Sequence, residues 1–184
     1  MNETSELGGL YCDLHVPLEW EPLTASDSPV GVDLVNQNRL KIILGLDEVI
    51  HEADENPELG QELQRLDFKV NIILELVGQL VSHNLTLPPS SSIKLGPDTV
   101  QWVTREPAPS QGQTLEIRLY LDQRFPFPLS LRGQVAGLAQ TPAGSQVQLV
   151  LDPMSEQTQD LLEKFIFRCH RRHIARMKTQ PVNN

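Results

Sequence analysis

Three residues of zinc-ligating type, Cys169, His170 and His173, stand about one helical turn apart near the carboxy terminus. Arg168, Arg171 and Arg172 surround them, and these cations oppose a bound dication. No carboxylate lies at helical spacing and a fourth ligand is missing, so no metal site is expected. The same cations are better suited to an anion. Arg168, Arg171, Arg172 and Arg176 offer guanidinium forks that match phosphate oxygens. They also suit the negative end of a helix dipole, which would make them a solvated helix terminus. His51, among Glu48, Glu52, Asp54 and Glu55, reads as another solvated helix end. Leu7-Gly8-Gly9-Leu10 precedes a strand pattern and not a helix, so it is no phosphate loop. There is no Gly-x-Ser-x-Gly elbow, and the Ser, His and Asp spacing assembles no triad. The sequence therefore predicts no catalytic residue, no enzyme and no cofactor.

Charge narrows the partners. The 184-residue chain has a formal net charge of −9. Residues 1–84 hold sixteen acidic and four basic side chains, and residues 85–184 hold eight and eleven. The acidic half repels a polyanion, so a dedicated nucleic-acid binder is not expected. No apolar run reaches the roughly 18 residues of a membrane span, and the acidic start, Met1-Asn2-Glu3-Thr4-Ser5-Glu6, lacks a secretory signal's pattern. Cys12 and Cys169 cannot build a disulfide scaffold, and a cytoplasmic location is expected.

The elements that must carry these residues follow from periodicity. Leu10, Cys12, Leu14, Val16, Leu18 and Trp20 alternate with polar residues, which predicts a strand over 8–22. Pro17 donates no ladder hydrogen bond and predicts an edge or a bend there. From Asp33 the period is helical, with Val35, Ile42, Leu46, Val49 and Ala53 on one stripe that Leu40, Ile43, Leu44 and Ile50 widen, ending near Asp54 or Glu55. Asn56-Pro57-Glu58 starts a second helix: an Asn cap, Pro at the first position, then an acid.

That second helix carries the clearest pattern in the chain. Leu59, Leu63, Leu66, Val70, Ile73, Val77 and Leu80 are spaced 4, 3, 4, 3, 4, 3, a heptad seam that faces a partner helix. Ile72, Leu74 and Leu76 lie off the seam, and Glu75 is the sole charge between Val70 and Leu87. One antiparallel neighbour cannot cover so wide an apolar surface. Another copy of the same helices can, with Gly78 permitting close backbone approach. The segment 33–84 is thus read as an inserted helical pair that drives homo-oligomerisation through these residues, Ile72 and Leu76 included.

After Pro88-Pro89-Ser90-Ser91-Ser92, read as a turn, the period returns to two. Ile93-Lys94-Leu95, Val100-Trp102-Thr104, Leu115 to Leu121, Leu129 to Gly137 and Val147 to Leu151 each alternate. Glu116, Arg118, Tyr120 and Asp122 are placed on the water side. With the first strand this makes about six short strands, a small antiparallel barrel occupying 90–152. A helix over 155–178 closes the chain, with Leu161, Leu162, Phe165, Ile166 and Cys169 as its apolar face.

This arrangement resembles the PilZ family of bacterial cyclic di-GMP receptors. Gln113 to Leu121 looks like the family's central strand, and Leu129-Ser130-Leu131-Arg132-Gly133-Gln134-Val135 like its Leu-Arg-Gly-x-Val strand. Leu161 to Arg168 looks like its closing helix. The heptad-bearing insertion after Tyr11-Cys12-Asp13-Leu14-His15-Val16-Pro17-Leu18 is similar to the atypical, tetrameric PilZ subfamily, whose inserted helices join subunits through a coiled coil. The resemblance implies an α+β fold: a six-stranded antiparallel PilZ-like β-barrel with an inserted long two-helix coiled-coil segment and a C-terminal helix.

It also implies cyclic di-GMP signalling, with the ligand motifs altered. Ligand-binding PilZ domains carry Arg-x-x-x-Arg ahead of the barrel. Here Arg39 is the only arginine before Arg65, and Arg168 and Arg172 have the spacing but sit in the last helix. The family's Asp/Asn-x-Ser-x-x-Gly is replaced by Ile93-Lys94-Leu95-Gly96-Pro97-Asp98-Thr99-Val100, which lacks the serine and the closing glycine. The expected function is a non-catalytic regulatory adaptor that forms homo-oligomers, tetramers favoured, and acts through protein partners. The alternative is a receptor that holds cyclic di-GMP through Arg168, Arg171, Arg172 and Arg176.

Overall fold

Alternation of apolar and polar residues along six segments produces six strands, all paired antiparallel in one closed barrel. In chain order the elements are β1 (Cys12–Pro22), α1 (Val32–Gly45), α2 (Pro57–Asn84), β2 (Ser90–Leu95), β3 (Thr99–Thr104), β4 (Thr114–Leu119), β5 (Leu129–Thr141), β6 (Gly144–Leu151) and α3 (Glu156–Thr179). Around the barrel the order is β1-β2-β3-β6-β5-β4, returning to β1. The computed structural model describes residues 10–24, 31–46, 57–105 and 107–179, the side chains of 57–59, 82–84 and 176–179 excepted.

Closure happens inside β1. Cys12 to Pro17 pair with β2, from Cys12 opposite Leu95 to Pro17 opposite Ser90. Leu18 to Pro22 pair instead with β4, from Leu18 opposite Leu119 to Pro22 opposite Leu115. Pro17 therefore marks neither an edge nor a strand end, because a closed barrel has no edge. It sits at the change of neighbour, where its carbonyl accepts from the Tyr120 N–H at 3.1 Å and Leu18 donates to Pro89 at 3.3 Å. The serines read as turn residues are strand: Ser90, Ser91 and Ser92 pair with Pro17, Val16 and His15.

Inward residues fill the barrel: Leu95, Val100, Trp102, Leu115, Ile117, Leu119, Leu129, Val147 and Leu149 are all buried. At these positions burial removes roughly 1.5–3 kcal/mol of exposed apolar surface per large side chain. Gly133, in the Leu-Arg-Gly-x-Val strand, lies where a Cβ would meet the Val150 carbonyl, so β5 and β6 approach there only with glycine. The β1 strand begins later than the alternation predicts. Leu10 is exposed, and the Tyr11 carbonyl accepts from His170 of α3.

Helix α3 packs on β1 and on α1, and α1 packs also on β5. Leu162, Phe165 and Ile166 supply the buried face of α3, with Leu161 and Cys169 beside them, as the sequence predicts. The face of α1 follows its predicted stripe only in the widening residues Leu40, Ile43 and Leu44. Val35 and Ile42 are exposed, whereas Asn36, Gln37, Leu40, Ile43 and Leu44 are buried. Two of those are polar because they bond to other elements. Asn36 donates to the Ser130 carbonyl at 2.6 Å and accepts from the Ser130 N–H at 3.1 Å. Gln37 donates to Asp33 and to Ser155, both at 3.1 Å. Ser155 in turn caps α3 by accepting from the Thr158 N–H at 3.3 Å.

Helix α1 also stops earlier than expected, at Gly45 and not near Asp54. Two arginines from distant segments take its terminal carbonyls: Arg168 donates to Leu44 at 2.7 Å and Arg124 to Leu46 at 3.3 Å. Val49, His51, Ala53, the predicted helix end and the Asn56 cap lie outside the described residues.

Candidate functional site

Helix α2 is built from Pro at its first position and an apolar seam. At 1.5 Å per residue its 28 residues extend about 42 Å. From Leu63 on, the seam finds no cover among the described residues. Leu63, Leu66, Val70, Ile73, Val77 and Leu80 are all exposed, as are Phe68, Ile72, Leu74 and Leu76 off the seam, the range running from 37% at Leu74 to 66% at Leu80. Leu59 lies on the helix, but its side chain is not among those described. Exposed apolar surface on this scale marks an interaction site. Polar stitching along α2 is local: Asn71 donates to Asp67, one turn back, at 3.1 Å.

One described residue of α2 meets the barrel end closely, and it is the glycine reserved above for a second copy. A Cβ on Gly78 would lie 2.7 Å from the carbonyl oxygen of Arg124. The close approach that Gly78 permits is thus taken by the loop between β4 and β5 of the same chain.

The four arginines of α3 are not gathered into one clamp. Arg168 is spent on the Leu44 carbonyl. Arg171 lies over the Phe167 ring, 5.8 Å from its centroid, and both Arg171 and Arg172 are exposed. The Arg176 side chain is outside those described. His170 donates a ring N–H to the Tyr11 carbonyl at 3.1 Å, which fastens α3 to the start of β1. Among the described residues no three His, Cys, Asp or Glu side chains stand close enough to hold a metal ion.

A groove that periodicity could not reveal lies between α3 and the outer face of β1, β2, β3 and β6. It encloses about 480 Å³ and is lined by His15, Ser92, Lys94, Gln101, Gln146 and His173, among others. Two rows of strand registry create it: Asp13, Lys94 and Gln101 in one, His15 and Ser92 in the next. His15 and Ser92 are 3.3 Å apart, and the Lys94 ammonium stands 4.8 Å from the Tyr11 ring centroid. Three basic or titratable nitrogen side chains, His15, Lys94 and His173, meet one acid, Asp13.

On the opposite side of the barrel the outward residues of β1, β4 and β5 satisfy one another. Glu116, expected in water, is buried beneath two guanidinium arms: Arg132 at 2.9 Å and Arg118 at 3.2 Å. Arg118 also reaches Glu19 at 3.5 Å and pairs with Glu21. Tyr120 donates to Glu19 at 3.2 Å. Burial, the Glu19 charge and that hydrogen bond push the Tyr120 hydroxyl above its ordinary value. Arg39, on α1, donates to the Pro128 carbonyl. With every charge engaged, this face is structural.

No described helix is long and apolar enough to cross a membrane. No curated protein matches the sequence. Among solved structures, a pathogenic protein from Xanthomonas campestris, described as a tetrameric PilZ domain self-assembled via an unusual helical bundle, aligns with a TM-score of 0.70. Its identity is 23%, and the alignment covers 91% of this chain and 92% of that one. At that identity the likeness establishes the fold. The Bacillus subtilis inhibitor of motility MotI/DgrA overlaps 47% of this chain and 42% of its own at 14% identity and a TM-score of 0.38, which carries no argument. The family described as "atypical PilZ domain, cyclic di-GMP receptor" matches residues 45–179, from the end of α1 through α2 and the strands β2 to β6 to α3. The chain belongs to the atypical PilZ domain family.

Proposed function

We propose that this protein is a non-catalytic regulatory module of a cyclic di-GMP pathway that assembles through α2 and acts through protein partners. The observation that carries the reading is the apolar surface of α2, exposed on the heptad seam and again at Phe68, Ile72 and Leu76. A two-stranded coiled coil buries a and d positions alone, and apolar residues flanking them call for a bundle of more helices. Four chains are the favoured number, and the self-assembled tetramer described for the Xanthomonas campestris protein supports it. In this reading the barrel and α3 are carried outward by the bundle as docking surfaces.

Sedimentation equilibrium tests the assembly. Wild-type protein is expected at four times the chain mass, and the Ile73→Glu/Val77→Glu double variant at one chain mass with its barrel still folded. A monomeric wild type, or a double variant of unchanged mass, overturns the reading.

A second reading has its own support: the groove that brings Lys94, His15 and His173 together has the charge for a phosphodiester, and the family is described as a receptor. In it the protein binds cyclic di-GMP without the usual motifs. Calorimetric titration of the full chain with cyclic di-GMP separates the two. Micromolar binding abolished by Lys94→Ala and His173→Ala supports the receptor, and no heat at millimolar ligand supports the adaptor.

A further inference from the structure

Cys12 on β1 and Cys169 on α3, remote in sequence, are brought into contact by the packing of α3 across the barrel. Cys12 lies in the barrel core, Cys169 packs against that core from α3, and Cys169 is the neighbour that most perturbs the Cys12 thiol. Their neighbours repeat the contact one residue along: His170 donates to the Tyr11 carbonyl at 3.1 Å, and the two rings meet edge-on with centroids 6.5 Å apart. Residues 11–12 and 169–170 therefore meet where α3 crosses the start of β1. Cys12 is 2% exposed, whereas Cys169 is half-buried and open to a small molecule. Both are free thiols. Nothing in the assembly reading or in ligand binding uses them, so this inference stands apart from both.

We propose that Cys12 and Cys169 are a redox modification site, forming a reversible intramolecular disulfide when the protein meets a hydroperoxide. The Cys169 thiolate attacks one peroxide oxygen. The O–O bond breaks, leaving a sulfenic acid on Cys169 and a hydroxide that takes up a proton as water. The Cys12 sulfur then attacks the Cys169 sulfur, the S–O bond breaks, and the hydroxyl leaves with the Cys12 proton as a second water. The two thiols lose two electrons, and the two peroxide oxygens gain them. Cys169 is the sulfur a peroxide can reach and Cys12 is buried, so the first attack belongs to Cys169; Cys169 beside it and burial also push the Cys12 thiol up. The product links β1 to α3 covalently, closing a loop that spans most of the chain and fixing the helix that forms one wall of the groove.

The test uses the full chain, reduced, then given a few equivalents of hydrogen peroxide and alkylated. Intact mass is expected to fall by about 2 Da with neither cysteine alkylated. A peptide containing Cys12 should appear bonded to one containing Cys169, and dithiothreitol should reverse both changes. The oxidised protein should melt at least about 5 °C higher, as a long closed loop predicts. In Cys12→Ser, Cys169 should stop as a sulfenic acid trapped by dimedone. Wild-type protein whose two cysteines both remain alkylatable, whose Cys169 gains oxygen without a cross-link, or whose disulfides join separate chains overturns the proposal. These wild-type readouts hold even if a cysteine variant fails to fold.

Discussion

Gly78 of α2 lies against the main chain of Arg124, so close that a Cβ at position 78 would stand 2.7 Å from the Arg124 carbonyl oxygen and 3.1 Å from its Cα. Arg124 is itself held on two sides. Its guanidinium donates to both Asp122 carboxylate oxygens, at 3.0 and 2.6 Å, and reaches the Leu46 carbonyl at the end of α1 at 3.3 Å. One residue thus joins α1, α2 and the β4–β5 loop, and it positions the end of α2 nearest β2. A helix-interior Gly→Ala change normally stabilises by about 1 kcal/mol. Here the neighbour is backbone, which cannot step aside, and an overpacked contact costs about 1–3 kcal/mol. Gly78→Ala is expected to lower the urea-unfolding free energy by about 1 kcal/mol. A rise by the helix-propensity amount would show that the contact with Arg124 yields freely.

Arg168 is predicted to act as a structural cap and not as a ligand clamp. Its donation to the Leu44 carbonyl, at 2.7 Å, satisfies one of the carbonyls that a helix end leaves open. Hydrogen bonds involving a charged group contribute about 1.5–3 kcal/mol, and partial exposure reduces this. Arg168→Ala should cost about 1–2 kcal/mol in urea unfolding, with Arg168→Lys recovering part through a single donor. Unchanged stability in Arg168→Ala, together with loss of cyclic di-GMP binding, would return the residue to the ligand.

The barrel was legible because its code is local. Alternation at Val100-Trp102-Thr104 and Leu115-Ile117-Leu119 reports which side faces inward, whatever the neighbouring strand. The long seam of α2 was legible for the same reason. What escaped depends on contacts between distant segments. The apolar residues of α1 spread around its circumference, and the true buried face includes Asn36 and Gln37, whose partners Ser130 and Ser155 lie far along the chain. The end of α1 is set by Arg124 and Arg168, and no pattern within 33–55 announces them. Gly78 was correctly read as a place for close approach, but sequence alone could not say whose backbone approaches. Glu116 was placed outward correctly and yet is buried, because Arg118 and Arg132 fold over it.

Glu116 is the acid on which the outer face of β1, β4 and β5 depends. Its side chain is 10% exposed and accepts from Arg132, itself 15% exposed, and from the more open Arg118. Removing one partner of a buried pair leaves an uncompensated charge, at a cost of about 3–5 kcal/mol when burial is complete. Arg132 keeps some solvent, so Glu116→Ala should cost about 2–3 kcal/mol. Glu19→Ala, removing an exposed partner of Arg118, should cost under about 1 kcal/mol. Equal losses in the two variants, read from chemical denaturation, would refute the ranking.

Acid should unfold the protein through two aspartates whose carboxyls are held below their ordinary value of 3.8. Burial raises both, but bonds outweigh it: Thr158, Ser155 and Gln37 donate to Asp33, and Arg124 donates to Asp122. A carboxyl depressed in the folded state stabilises above its unfolded value, and that stabilisation disappears as pH falls through the folded value. Between pH 5 and 7 these two groups should leave the unfolding midpoint flat. Below about pH 4 the midpoint should fall as the cap of α3 and the Arg124 junction lose their charges. Asp33→Asn should be less stable than wild type at pH 6 and closer to it at pH 3, since an amide has no charge left to lose. Urea midpoints at the two pH values read this directly, and a gap between variant and wild type that widens in acid would contradict it.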